Sequence, residues 1–473
     1  MNIQRKDLGQ RRSEAPSVQD YLDREKRQVP TYLRDNAYTY QGSEDLPAER
    51  WYSREFYDSE IKHVWPRTWQ LVCVEEELAQ PGDYVVYDIV HWSFIVVRRS
   101  DGTLGAYYNS CMHRATRLCD AAAGHATEFR CPFHGWVHSI DGYVSEITCE
   151  WDFDHLDEQA RQMPRAQVDT WQGLVFINMD PAAPSLREYI GNLDDAFARY
   201  PLTSKRKSAH VQKPLPCNWK IALEQFIEAY HVIATHPEGL PYIGDANAQY
   251  NIWPDNDHVS RMHTLHSVAS PHVGDRYSEQ EKLDIITDIS DKAGTQKRRI
   301  VLPEGMSTRE FLAEERRRLL KEEYGLDCSE LTDAEMLDTI HYFIFPNIVV
   351  WTAYGSPIIY RFRPHMDDPR RSVMDVMFMT PFDTSKPRPP SAEIDYLSAE
   401  SSWTEAKSLG RMGWVFDQDT SNAPLVQAGV MASGKRAVSL GNYQEARIRH
   451  FHHTLDKYIN NEPLNLGGPN PRS

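Results

Sequence analysis

The chain has 473 residues, 41% of them apolar and 11% aromatic, which is enough for two or three domains and a substantial core. Its 52 Lys and Arg stand against 68 Asp and Glu, a formal charge of −16, which excludes nucleic acid as the main partner because phosphate contacts need clustered cations. No run approaches the ~20 apolar residues of a membrane helix, and the opening "MNIQRKDLGQRRSEAPSVQ" lacks a secretory apolar core, so a soluble cytoplasmic protein is expected.

Residues 1–50 are polar at their start and are expected to be partly disordered, or to pack on the catalytic domain or a neighbour. "WYSREFYDSEIKHVW", 51–65, has helical periodicity with Phe56, Ile61 and Val64 on one face. The texture then changes to short β-branched and aromatic runs, "DYVVYDI", "SFIVVRR" and "LGAYYNS", separated by turns and continuing to "GLVFINMDP". About 66–180 therefore reads as all-β, and 51–180 as one domain. Beyond it, in a 181–473 domain, "NWKIALEQFIEAYHVIATH" (218–236) reads as one amphipathic helix containing Ile221, Phe226, Ile227 and Tyr230.

Residues 240–300 look polar and irregular, a candidate mobile lid whose His258, His263, His266 and His272 read as exposed or incidental. Residues 307–338 read as helical, with "EERRRLLKEE" a solvated face. "HYFIFPNIVVW", "SPIIYRFRPH" and "SVMDVMFMTPF" read as strands of one antiparallel sheet, and "EARIRHFHHTLDKYI" as a closing helix. The fold class is α+β: an all-β domain, then an antiparallel sheet flanked by helices.

Two loops of the all-β domain carry the chemistry. "CMHRATRL" and "CPFHGWVHSIDG" give Cys111-x-His113, seventeen residues, then Cys131-x-x-His134. Seven cysteines, an odd number, are no disulfide scaffold, and paired cysteines in a reducing cytosol point to metal. Four incidental side chains, a structural zinc and an iron–sulfur cluster are the three readings. Zinc fingers usually pair Cys with Cys and His with His. Here each loop offers one of each, which puts both thiolates on an inner iron and both imidazoles on an outer one.

Downstream, His231 and His236 lie five apart before Pro237. Two His and one carboxylate bind Fe(II) on one face and leave positions for O₂ and substrate. The best carboxylate donor is "WVFDQDTSNAPLVQAG", with Asp419 preferred over Asp417, while "DTSNAP" also reads as a helix start.

The two loops closely resemble the Rieske ferredoxin pattern, with Ala115 where Gly is usual. "NWK", E-x-F and an acid before Tyr-His-x4-His resemble the α subunit of Rieske non-heme iron oxygenases, the ring-hydroxylating dioxygenase family. That resemblance implies a Rieske [2Fe–2S] domain over 51–180 and a mononuclear Fe(II) domain over 181–473. It implies that Glu228 bridges His231 to His134 of the partner subunit in a head-to-tail homotrimer, with or without a β subunit. It implies electrons from NAD(P)H through a reductase or ferredoxin, O₂, and hydroxylation of an aromatic or polycyclic substrate. Many ring dioxygenases carry Asp where Glu228 stands. Glu occurs in branches resembling carnitine and betaine oxygenases, so a monooxygenase or demethylase for a small quaternary ammonium compound is the alternative. Gln225 is a candidate beside the open iron positions. Phe226, Phe343, Phe345, Trp351 and Trp414 are candidate pocket walls.

Overall fold

A computed structural model describes residues 12–191, 193–291, 300–356 and 358–467. The chain forms two compact units. The smaller takes Asp58–Tyr189 with Pro364–Asp368; the larger takes the chain up to Tyr57, then Ile190–Arg363 and the chain from Pro369 on.

The smaller unit is built from short strands in three sheets, as expected for β-branched runs cut by turns. Leu104–Tyr108, Trp92–Arg98, Asp83–Ile89 and Ala123–His125 form a four-stranded sheet. Gln167–Trp171, Leu174–Asn178 and Gln70–Val74 form a second, and Glu128–Arg130, Val137–Ser139 and Val144–Glu146 a third. Tyr84, Ile95, Val97, Tyr107 and Phe129 pack in its core.

The larger unit carries an eight-stranded sheet in the order Ile243–Ile252, Val259–His266, Thr339–Ile344, Ile348–Trp351, Ile358–His365, Asp368–Pro381, Lys205–Leu215, Asp395–Tyr396. The last pair is parallel; the others with a defined register are antiparallel. Helices Thr308–Tyr324, Met412–Ser421, Ala423–Ala432 and Ala446–Asn460 belong to this unit. Ser307 caps the first of these with its side chain and Gly325 ends it in the left-handed region.

Residues 240–300 are not irregular. They supply two buried strands and the helix Glu279–Asp291, so the lid expectation fails there; its part at 292–299 lies outside the described residues. Their polarity misled because it is satisfied from the N-terminal segment. Gln19 Nε2 donates to Gln249 Oε1 at 2.9 Å, Asn251 Nδ2 to Asp35 O at 3.0 Å, and Trp253 Nε1 to Asp35 Oδ2 at 2.7 Å. His258 and His263 are fully buried rather than exposed, and His263 Nε2 pairs with Asp338 Oδ2 at 2.8 Å. The "EERRRLLKEE" face is not wholly solvated either: Arg317 is buried, donating to Leu331 O and Asp333 Oδ1, both at 2.7 Å. Among the described residues no helix is long and apolar enough to cross a membrane.

Several histidines of the larger unit are buried neutral. Burial pushes His450 down to about 4 and His341 well below its ordinary value. Below the free histidine value of 6.5 the unfolded chain takes up a proton that buried His450 refuses until about 4, so its contribution falls as pH drops through that window. Replacing His450 with Gln should remove that term. The unfolding free energy of the wild type, from urea titration, should fall more steeply than that of H450Q between pH 6.5 and 4, by up to about 1.4 kcal/mol per pH unit for the one group. Parallel pH profiles of the two free energies are the contrary result.

Candidate metal centres

The expected helix over 218–236 is broken. Asn218 accepts from Lys220 N at 3.0 Å and starts a helix, but it runs only from Trp219 to Glu224. The next amides turn back to i−3 carbonyls: Phe226 N reaches Leu223 O at 2.9 Å and Ile227 N reaches Glu224 O at 3.2 Å. Ala229 N is then taken by Tyr250 Oη at 3.0 Å and His231 N by Glu228 Oε2 at 3.0 Å. Side chains have replaced the carbonyls a helix needs. Helix returns for Val232–Thr235, and Pro237 starts a short 3₁₀ turn. Glu228 and His231 therefore meet across a turn rather than along a helix face.

That turn sets the histidines. His231 Nδ1 donates to Glu228 Oε1 at 2.7 Å, which leaves Nε2 facing Asp419 Oδ1 at 3.5 Å. His236 Nδ1 donates to Gln418 Oε1 at 2.9 Å and its Nε2 lies 2.6 Å from Asp419 Oδ1. Gln418 Nε2 donates onward to Glu238 Oε1 at 2.9 Å. One ligand atom from each of His231, His236 and Asp419 lies within 4.8 Å of the others, the spread of a site for one ion. Asp419 sits inside the helix Met412–Ser421, not at a helix start. Asp417 is spent elsewhere: its Oδ1 accepts Trp403 N at 2.8 Å and its Oδ2 accepts the Ser402 hydroxyl.

The charges ask for a cation. Burial raises the Asp419 carboxyl, but the two imidazoles outweigh it and hold the group below its ordinary value. Burial opposes protonation of His231, yet the Glu228 charge and the Asp419 hydrogen bond push it up to about 10. An ion held here would replace that proton.

Phe226 packs against Tyr360 at 4.8 Å and Phe362 at 5.4 Å, and Tyr360 meets Phe416 at 5.9 Å and Trp351 at 6.3 Å. Burial and the Asp419 charge drive the Tyr360 phenol well above its ordinary pKa, so this aromatic wall stands beside the ligands. Phe343 and Phe345 are ordinary core instead, packed on Phe451 and Tyr458, and Trp414 is exposed. Gln225 ends the short helix with a buried Nε2 that has no partner. Tyr250, Tyr360, Gln418 and Glu238 were missed by the sequence reading. The "DQD" departure was the available signal for Gln418.

In the smaller unit the two loops repeat one turn. Cys111 N donates to Thr116 O at 2.8 Å and Ala115 N to Cys111 O at 3.0 Å; Cys131 N donates to Trp136 O at 2.8 Å and Gly135 N to Cys131 O at 3.0 Å. Ala115 has φ +58°, the left-handed region that makes glycine usual at this place. Cys111 and Cys131 are buried, and burial raises the Cys111 thiol. For Cys131 burial is outweighed by the amides of Phe133 and His134, and its thiol falls. The rings of His113 and His134 lie 4.6 Å apart, and each has a buried Nδ1 without a partner. These orphaned atoms and two thiols have the chemistry of a mixed-ligand cluster's donor set. They form no group within 4.8 Å, whereas tetrahedral zinc, with bonds of about 2.0–2.3 Å, holds its ligands within about 4 Å of one another.

The profile of the ring hydroxylating alpha subunit (catalytic domain) family matches residues 199–461, more than half of the chain, and that of the Rieske [2Fe–2S] domain matches 68–167. Chlorobenzene dioxygenase subunit alpha from Cupriavidus sp. (strain PS12) is 34% identical over 193 residues, 39% of this chain and 43% of that protein. The glycine betaine monooxygenase oxygenase subunit of Chromohalobacter salexigens is 28% identical over 200 residues, 42% and 45% of the two. The chain thus aligns with less than half the length of these curated relatives. The quaternary ammonium Rieske monooxygenase CntA in complex with L-carnitine has a similar fold, with a TM-score of 0.60 at 16% identity over 89% of this chain and 97% of that one.

Outer hydrogen bonds to ligating histidines typically carry about 10–100-fold in metal affinity. Gln418→Leu should weaken Fe(II) binding by about that range in competition with a chelator while leaving the cluster's visible spectrum unchanged. Unaltered iron affinity would remove Gln418 from the site.

Proposed function

The chain belongs to the ring hydroxylating alpha subunit family, and on that premise we propose that it is the terminal oxygenase of a multicomponent Rieske system. It takes electrons originating from NAD(P)H, through a reductase or ferredoxin, and adds oxygen from O₂ to a small organic substrate. The observation that carries this reading is the convergence of His231, His236 and Asp419 in a chain that also bears the paired Cys/His loops.

Cys111 and Cys131 would hold the inner iron of the cluster, and His113 and His134 the outer one. His231, His236 and Asp419 would hold the mononuclear Fe(II). When bound, the two centres supply stored electrons and positions for O₂. The protein's own work is positioning and drying. Glu228 keeps the His231 proton on Nδ1, and Gln418 does the same for His236, so both Nε2 atoms stay free to ligate. Phe226, Tyr360, Phe362 and Phe416 exclude water beside Asp419 and offer aromatic faces to a substrate. The Gln225 amide N–H, unspent in the structure, is available to a substrate acceptor.

A head-to-tail homotrimer, with or without a β subunit, would bring His134 of the partner subunit against Glu228. Exposed apolar residues flank both partners of that contact: Phe133 beside His134, and Tyr230 and Ile233 near His231. The leading substrate class is aromatic or polycyclic. Glu228 in place of Asp favours a second class, small quaternary ammonium compounds, for which the same aromatic wall serves as a cation cage.

Oxygen uptake and product mass across aromatic and quaternary ammonium compounds, with the chain chemically reduced, test the activity. Uptake without any oxygenated product rejects it. Glu228→Gln should keep iron and acid-labile sulfide at wild-type content yet slow oxidation of the reduced cluster by tenfold or more, roughly the scale of an outer-shell carboxylate. Wild-type turnover in that variant contradicts the bridging role.

A further inference from the structure

The smaller unit contains a third histidine that the ligand scheme does not use. His138 lies on the strand Val137–Ser139, just beyond the second ligand loop, and is fully buried. Its Nε2 accepts the backbone N–H of Met112 at 3.2 Å. Met112 stands between Cys111 and His113.

The other backbone bonds of the first loop start and end inside residues 111–116, so they shape it without fixing it to anything else. The second loop is likewise closed by its own turn, with Thr148 Oγ1 donating to His134 O at 2.7 Å. Side chains join the loops at several points: the His113 and His134 rings meet edge-on at 4.6 Å, Arg114 lies over the Phe133 ring at 5.1 Å, and the Thr116 hydroxyl and both thiols meet at Cys131. Trp136 stacks on the His113 ring at 4.9 Å and 10°, a contact that resists separation but permits sliding. The His138 bond is directional and fixes how the Met112 amide is turned. Turning that amide turns the residues on both sides of it, which are the two proposed ligands of the loop.

Resting on the cluster reading above, we propose that His138 is a positioning residue for the iron–sulfur centre, an acceptor that locks the first ligand loop to the strand leaving the second. The ring suits the task. Burial keeps the imidazole below its ordinary pKa, and the carbonyls of Phe129 and Trp136 offset this only in part. A neutral ring that accepts at Nε2 carries its proton on Nδ1. A residue chosen only to fill space would be apolar here, since its cross-strand partners Phe129 and Val144 are buried apolar groups.

Two substitutions separate an acceptor from a space-filler. His138→Phe keeps the ring volume and loses the acceptor; His138→Gln loses the ring and keeps an oxygen able to reach the same N–H. The proposal expects H138F to lose the cluster about tenfold faster than wild type under chelator, followed by visible absorption, with broadened EPR lines when reduced. It expects H138Q to stay within about threefold of wild type, with narrow lines. H138F equal to or better than H138Q overturns it. Mononuclear iron content serves as the control, because the change should not touch it. Should neither variant fold, hydrogen exchange in the wild-type holoprotein decides: a Met112 amide exchanging as fast as an open loop overturns the tie, and one as slow as the strand amides supports it. Iron and acid-labile sulfide in the wild type are measured first, and their absence defeats the cluster reading itself, independently of His138.

Discussion

A carboxylate buried between two imidazoles, Asp419 against His231 and His236, is the constraint around which the larger unit is organised. Removing an acid from water is costly unless positive charge meets it. The helix Met412–Ser421 solves this twice, in different ways. Asp417 gives its oxygens to an amide and a hydroxyl at Trp403 and Ser402, while Asp419, about 200° further round the helix, gives one to the histidines. Two acids two residues apart thus face opposite environments. Only the second lies where a metal ion completes the balance.

The histidines reach that carboxylate because a helix is prevented from continuing. Tyr250, on the strand Ile243–Ile252, takes the Ala229 amide, and its own hydroxyl is positioned by Gln444 at 3.1 Å. The edge of the sheet therefore reaches into the ligand segment and halts it. A continuous helix would place residues five apart about 140° from one another, and His231 and His236 could not both point at Asp419. The break also frees the His231 amide for Glu228, so one carboxylate binds both ends of that residue.

What was legible in the sequence followed from distance along the chain. The Cys/His loops are local, each a six-residue turn, and their spacing carries their geometry. The two histidines are also local. Asp419 is 183 positions from His236, and no local signal separates it from Asp417 on the same helix. The helix break was not legible at all. Its cause is a tyrosine from a strand read as irregular, and that strand was misread because its Asn and Gln side chains bury against Asp35 and Gln19. A polar strand looks like a loop until its partners are known, and those partners lie more than 200 residues away. His258 and His263 were misjudged for the same reason, being buried among partners that only the tertiary structure supplies.

The two centres use one side chain in opposite senses. In the larger unit Nδ1 of each histidine is spent on an oxygen of the protein and Nε2 points to Asp419. In the smaller unit Nδ1 of His113 and His134 is the buried, unspent atom. An imidazole that offers Nδ1 inward presents Nε2 and its proton outward, so the rings proposed for the outer iron leave a donor at the surface of the unit. Glu228 already spends one oxygen on the His231 ring and the other on the His231 amide, but a carboxylate oxygen has a second lone pair to give. An outward Nε2–H and an under-used carboxylate are complementary, and each stands beside exposed apolar residues. In the proposed contact between copies, the tautomers that suit the metals would leave one chain a donor that the acid of the next could accept.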